Sequence, residues 1–256
     1  MHTLTNLNGQ PMAALPVLRV PLTRPFVWLR RGWDDLRHNP SASLAYGFLV
    51  SAMGALILAF WSHPFFVAAS VTGFLLVGPL LTTGLCELSR LRANGDKTGF
   101  EVSLSALGRN RDALLRFAVG LLVIGAAWFA ASSLMLYLVL GSAGPTLEST
   151  IWGSLFDQIS TAQVLSYVAV GGILAAIVFA RSVVSVPLII DRQTDAGTAV
   201  QTSLRVALSD LPAMIVWAAL IVVLVGFGFA TFLIGMIVVF PLLGHATWHA
   251  YRDLVA

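Results

Sequence analysis

AMIVWAALIVVLVGFGFATFLIGMIVVFPLLGHATW, Ala213–Trp248, is a run of 36 residues without one Asp, Glu, Lys or Arg. As one helix, rising about 1.5 Å per residue, it would reach about 54 Å, against a bilayer hydrocarbon core of about 30 Å. It must therefore fold back, and Gly226 and Gly228 mark the expected turn. Working outward, four more apolar runs cover residues 41–61, 65–86, 113–140 and 164–190. Each is long enough to span a bilayer. Ser62-His63-Pro64 divides the first two, and the stretch 141–163, opened by Gly141-Ser142-Ala143-Gly144-Pro145, divides the next two. The expected fold class is an all-α membrane protein with six transmembrane helices in three hairpins.

Composition agrees. Of 256 residues 57% are hydrophobic and 11% charged, with mean hydropathy +0.85. A soluble domain carries about 25% charged residues, so this chain is too poor in charge to cover a water-facing surface. The net charge of +3 comes almost wholly from arginines flanking apolar runs, Lys97 being the single lysine. That placement points to membrane lipids and not to nucleic acid as the basic residues' partner. Cys86 is the sole cysteine, which excludes an intramolecular disulfide and a CxxC site. Residues 1–22, with Pro11, Pro16 and Pro21 and no signal-like apolar core, read as a disordered cytoplasmic tail. The rest, 23–256, reads as one integral membrane domain.

All 15 Lys and Arg fall in the N-terminal segment, in 87–116, in 181–205 and at Arg252. The three opposite connections hold only Glu148 and Asp157. Basic residues stay cytoplasmic during insertion, so both termini are expected in the cytoplasm of a bacterium, with the chain in its inner membrane.

The polar segments carry their own pattern. Phe26, Leu29, Trp33 and Leu36 recur at helical spacing, as do Phe100, Leu104 and Leu107, and then Ala196, Ala199, Val200, Leu204, Ala207 and Leu208. Each set reads as a short amphipathic helix lying in the cytoplasmic interface. Each ends at a capping break: Asn39-Pro40, Asn110-Arg111 and Asp210-Leu211-Pro212. Three spans share a proline followed by two aliphatic residues, at Pro79, Pro187 and Pro241, where the helices are expected to bend. Together these features suggest a threefold repeat over 23–86, 99–190 and 195–248, each unit an interfacial helix followed by a membrane hairpin.

Candidate chemistry is sparse. Arg181 lies six residues before Pro187, about 13 Å inside its span. A charge there should face the bundle interior or a wet cavity and could meet an anion or a lipid headgroup, unless it simply snorkels to the interface. Gly73 and Gly235, at the matching positions of two other spans, would leave room for it. His245 and His249 share a helix face four residues apart, a spacing that can hold a haem or a metal. No third ligand but Asp253 stands near them in sequence, and no cofactor is expected. Nucleophile and phosphate-loop motifs are absent, as are intramembrane acids, so neither an enzyme nor an ion-coupled carrier is expected.

Three stretches carry a family resemblance. They are Gly32-Trp33-Asp34-Asp35-Leu36 with Asn39-Pro40, Ser43-Leu44 and Tyr46-Gly47; Pro187-Leu188-Ile189-Ile190-Asp191-Arg192; and Phe240-Pro241-Leu242-Leu243-Gly244-His245-Ala246-Thr247-Trp248-His249-Ala250-Tyr251-Arg252. Across roughly residues 25–255 the chain resembles the bacterial integral membrane proteins grouped as domain of unknown function 2189. Some of these carry a cytochrome c oxidase subunit label. This chain lacks the histidine set of the haem- and copper-binding subunit, so the resemblance allows only an accessory role there. The expected function is association, as an accessory or assembly factor of a membrane complex; the alternative is a transporter or channel for a small or lipidic solute. Topology reporters should read periplasm at residues 62–64, 150 and 227, and cytoplasm at 95, 195 and 256. A cytoplasmic signal at 150 would reverse the orientation.

Overall fold

A computed structural model describes residues 15–59, 81–140 and 161–256. In chain order the helices are α1 (Arg24–His38), α2 (Pro40–Ala59), α3 (residues 81–94), α4 (Phe100–Leu104), α5 (Ala106–Arg109) and α6 (Arg111–Leu140). Then come α7 (Thr161–Ser182), α8 (Ser185–Arg192), α9 (Ala196–Ser209), α10 (Leu211–Ala230) and α11 (Met236–Leu254). Among the described residues there is no sheet, just one isolated bridge between Val17 and Val255. Three helical stretches are long and apolar enough to cross a membrane: Arg111–Ala131, Ala169–Arg192 and Leu211–Ala230. A shorter apolar helix covers Pro40–Leu56. The second expected span lies mostly outside the described residues, as does Pro79.

Three joints between a surface helix and a long helix share one backbone geometry. Asn39 has φ −130° and ψ 64°, Asn110 −146° and 61°, and Asp210 −137° and 58°. In each joint the carbonyl of that residue accepts the N–H four residues on, from Ser43, Leu114 and Met214. The side chains differ in their work. Asn110 Nδ2 donates to the Thr194 carbonyl at 2.9 Å, and Asp210 accepts the Val20 N–H at 2.7 Å.

The expected turn at Gly226 and Gly228 is corrected: both glycines lie inside α10, and the chain turns at residues 231–235. Phe232 and Leu233 there take positive φ, 51° and 68°. Gly228 serves a different purpose, since a Cβ on it would collide with Met236 at the start of α11. Likewise the fourth expected span is not one helix. It breaks at Val183–Val184, and Pro187 is the third residue of the new helix α8. A proline there has no N–H to give to the Val183 carbonyl, which is why the ladder stops at that point. By contrast α11 runs on through Pro241.

The face that α1 turns inward also departs from expectation. Pro25, Trp28, Gly32, Asp35 and Leu36 are buried, whereas Phe26 is 55% and Trp33 36% exposed. The reason is α11. It packs mainly on α1 and α2, and glycines let both come close. A Cβ on Gly32 would stand 2.8 Å from the Ala246 nitrogen, and one on Gly47 would overlap the Ile237 carbonyl. Small residues at such contacts allow backbones to meet where lipid offers no hydrophobic driving force. Leu208 and Leu107, matched to buried Leu36, point outward.

Residues 15–22, read as part of a loose tail, are extended but docked. Leu18 N–H donates to the Leu254 carbonyl at 2.9 Å, and Arg205 donates to the Leu15 carbonyl at 2.8 Å. Residues 1–14 lie outside the described residues.

Gly47→Ala should cost about 1–3 kcal/mol by overpacking the α2–α11 contact, read as a lower unfolding temperature in detergent. Gly108→Ala, where a new Cβ meets nothing within 4 Å, should cost nothing. Equal effects would contradict the close approach.

Candidate functional site

The polar residues of α1, α2, α3 and α11 converge beneath α1. Asp35 reaches in from the buried stripe of α1, and α11 brings His245 and, one turn later, His249. Four residues along a helix is one face, so both histidines meet the same carboxylate region. His249 Nε2 lies 2.9 Å from Asp35 Oδ2, and Arg92 Nη1 lies 2.5 Å from Oδ1. Ser89 Oγ donates to Asp35 Oδ2 at 2.5 Å. His245 sits between two serines, Nδ1 being 2.8 Å from Ser89 Oγ and Nε2 2.9 Å from Ser43 Oγ.

Counting protons orders this chain. Ser89 has one hydrogen, and it goes to Asp35; Ser89 must then accept from His245 Nδ1–H. That leaves Nε2 as an acceptor for the Ser43 hydroxyl. The relay runs Ser43, His245, Ser89, Asp35, every donor pointing toward the carboxylate. His245 is thereby a neutral Nδ1–H imidazole with both nitrogens engaged.

Electrostatics at Asp35 are a contest. Burial pushes its carboxyl up, but the hydrogen bonds from His249 and Ser89 outweigh this and hold it below the usual carboxylate range.

Ser43 beside His245 has the geometry of a nucleophile with its general base. The pair is sealed, however, since Ser43 and His245 are both 0% exposed. Asp35 also touches His245 only through Ser89. As folded, the set joins four helices and admits no reactant. Among the described residues no three His, Cys, Asp or Glu stand in a metal-holding arrangement.

Further polar ties surround it. Asp253 of α11 takes Arg24 Nε at 2.6 Å and Trp28 Nε1 at 2.8 Å, fastening the start of α1. Tyr251 donates to Asp191 at 2.6 Å and accepts from Arg192 at 3.1 Å, fastening α8. Glu87, fully buried on α3, is held by Arg90 at 2.8 Å and Arg109 at 2.9 Å. Sequence reading singled out the two histidines but missed Ser43, Ser89, Glu87 and the role of Asp35. An acid seven residues after Trp28 and three after Gly32, hence on one helix face with both, was the available signal for Asp35.

Arg181 stands apart from this network, near the end of α7. Its Nε is buried with no hydrogen-bond partner among the described residues. The glycine beside its guanidinium is Gly120 of α6, where a Cβ would lie 3.1 Å from Nη2. Gly235 instead packs on Thr231 and Gly228, and Gly73 lies outside the described residues.

Asp35→Ala should destabilise by about 2–3 kcal/mol, less than a fully buried pair because Arg92 is 34% exposed. Because its folded pKa lies below the ordinary 3.8, Asp35 contributes fully above about pH 4 and loses its contribution as pH falls through the lower folded value. Unfolding temperatures from pH 7 down to 3 should therefore converge for wild type and variant at the acid end.

No curated protein and no solved structure matches the chain. The model of one family, DUF2189, described as "Predicted integral membrane protein", matches residues 66–191. That region takes in Pro187–Asp191 of the motifs quoted above, and the Gly32–Gly47 and Phe240–Arg252 stretches lie outside it. Over residues 66–191, just under half of its length, the chain is similar to the DUF2189 family of predicted integral membrane proteins.

Proposed function

We propose that this chain acts by association, as an accessory or assembly factor of a bacterial inner-membrane complex, without catalytic turnover of its own. The carrying observation is the sealed relay: the one serine–histidine pair with reactive geometry among the described residues has no exposure, and its polar atoms are spent on one another. Catalysis needs an open position beside the nucleophile, and holding helices together does not.

In this reading the chain crosses the membrane six times in three hairpins, with both termini cytoplasmic. What supports it is the repeated joint at Asn39, Asn110 and Asp210, each placing a surface helix before an apolar one with φ and ψ nearly the same. Three such joints on one side fit three interfacial helices in one leaflet. The polar layer under α1, rich in arginine, then lies at the cytoplasmic surface, as insertion by charge would put it. Outward, α10 offers Ile215, Val222, Val223 and Phe229 to lipid or to a neighbouring membrane protein. Transport of a small or lipidic solute is the second reading, and the unpartnered Arg181 Nε is what favours it.

A fluorophosphonate probe should leave Ser43 unlabelled in the intact protein, and the chain extracted at native abundance in mild detergent should migrate well above its 27.3 kDa. Labelling of Ser43 that disappears in His245→Ala would turn the relay into an active site and overturn the association reading. A monomer that carries solute flux in liposomes would favour the second.

A further inference from the structure

Arg181 Nε is the one fully buried side-chain nitrogen or oxygen without a hydrogen-bond partner among the described residues, on a side chain that is otherwise half-buried. Its depth can be read twice. Along α7 and α8 it lies near the middle of the membrane-length stretch Ala169–Arg192. Along α6 its guanidinium is level with Gly120, nine residues from the start of α6 at Arg111, or about 13 Å below that joint. The two helices run antiparallel, with Gly171 against Trp128 in one region and Arg181 against Gly120 in the other. The guanidinium packs sideways against Gly120, in space that exists because Gly120 has no side chain.

A charge at that depth needs a counter-charge. This chain cannot supply one from its spans. Residues 60–80 contain no acid, and no ion pair to Arg181 is found among the described residues. Asp35, Glu87, Asp191 and Asp253 are committed elsewhere. A second cation faces the same way. Arg116 lies four residues before Gly120, hence on the same face of α6 and one turn nearer the cytoplasm, and it is exposed. Two arginines at two depths, Arg116 on α6 and Arg181 on α7, thus lie along the side of α6 that Gly120 opens toward α7. Asp112, one turn further out, makes no ion pair with Arg116.

We infer that Arg181, with Arg116 above it and Gly120 providing the space, binds a phosphate group that enters from the cytoplasmic side between α6 and α7. A guanidinium fork matches two phosphate oxygens, and the low-dielectric slot strengthens the pair. The phosphate belongs either to an anionic phospholipid of the cytoplasmic leaflet or to a soluble phosphate, and the two sources separate experimentally.

The full chain is extracted in mild detergent and examined by native mass spectrometry with added phosphatidylglycerol or phosphatidylcholine. In parallel, its melting temperature is followed with inorganic phosphate. With a lipid source, wild type retains phosphatidylglycerol over phosphatidylcholine by about tenfold, the scale of one charge-assisted pair. Arg181→Gln then loses that preference, Gly120→Val, which fills the slot and leaves the charge, loses it too, and Arg30→Gln on the exposed side of α1 keeps it. With a soluble source, inorganic phosphate raises the melting temperature of wild type and not of Arg181→Gln. If Arg181→Gln does not fold, the wild-type arms decide alone. A wild-type chain with neither lipid preference nor phosphate response overturns the inference, and so does a preference that Arg181→Gln retains or that Arg30→Gln also abolishes.

Discussion

A carboxylate removed from water must be neutralised where it lies, and Asp35 is the group on which that constraint falls in this chain. Its side chain is almost wholly buried on the inner face of α1. Neutralising it takes Arg92 from α3; hydrogen-bonding it takes His249 from α11 and Ser89, which in turn fixes His245 and, through it, Ser43 of α2. One buried charge therefore determines the relative placement of four helices drawn from the first and last parts of the chain. Gly32 and Gly47 make the arrangement sterically possible by letting α1 and α2 meet α11 at backbone distance. Buried ion pairs are weak sources of net stability but costly to break, so a network of this kind acts more as a specification of register than as glue.

The rest of the polar layer follows the same logic, with α11 as its centre. Asp253, Tyr251, His249 and His245 fall within the last ten residues of that helix: Asp253 and His249 tie it to α1, Tyr251 to α8, and His245 to α2 and α3. The apolar counterpart is the cluster of Trp28, Trp217, Trp248 and Tyr251. Trp28 meets Trp217 edge-on at 5.6 Å and still donates its indole N–H to Asp253. All four side chains are buried, and they bind the helix α1 to the bundle through packed rings and one indole hydrogen bond.

Much of the fold was legible because bilayers impose strong rules. The apolar runs gave the long helices, and the capping residues Asn39, Asn110 and Asp210 gave the joints to within a residue. What resisted reading was orientation. Of the apolar stripe read on α1, Leu29 and Leu36 do pack inward, whereas Phe26 and Trp33 turn outward and Asp35 lies inside, so the stripe rule placed the buried face only in part. The turn at 231–235 was missed for a related reason. Gly226 and Gly228 look like breakers, yet Gly228 is a packing residue for Met236, and the actual turn uses Phe232 and Leu233 at positive φ, which no propensity favours. At the site, His245 and His249 were legible as a pair through their spacing. Their serine and carboxylate partners come from elements more than 150 residues away in sequence, and no local pattern announces such a contact.

The picture is of a membrane bundle whose conspicuous histidines are hydrogen-bonded to Ser43, Ser89 and Asp35 and whose reactive-looking serine is buried. Its central claim is that Asp35 and the α11 histidines are one cooperative unit that locks α1 to α11. A double-mutant cycle on unfolding free energy in detergent, with Asp35→Asn, His249→Gln and both together, tests this most directly. Contact through a shared network predicts a coupling of about 1–3 kcal/mol between the two substitutions. Effects that add to within about 0.5 kcal/mol would mean that the two side chains act independently, and would contradict the account.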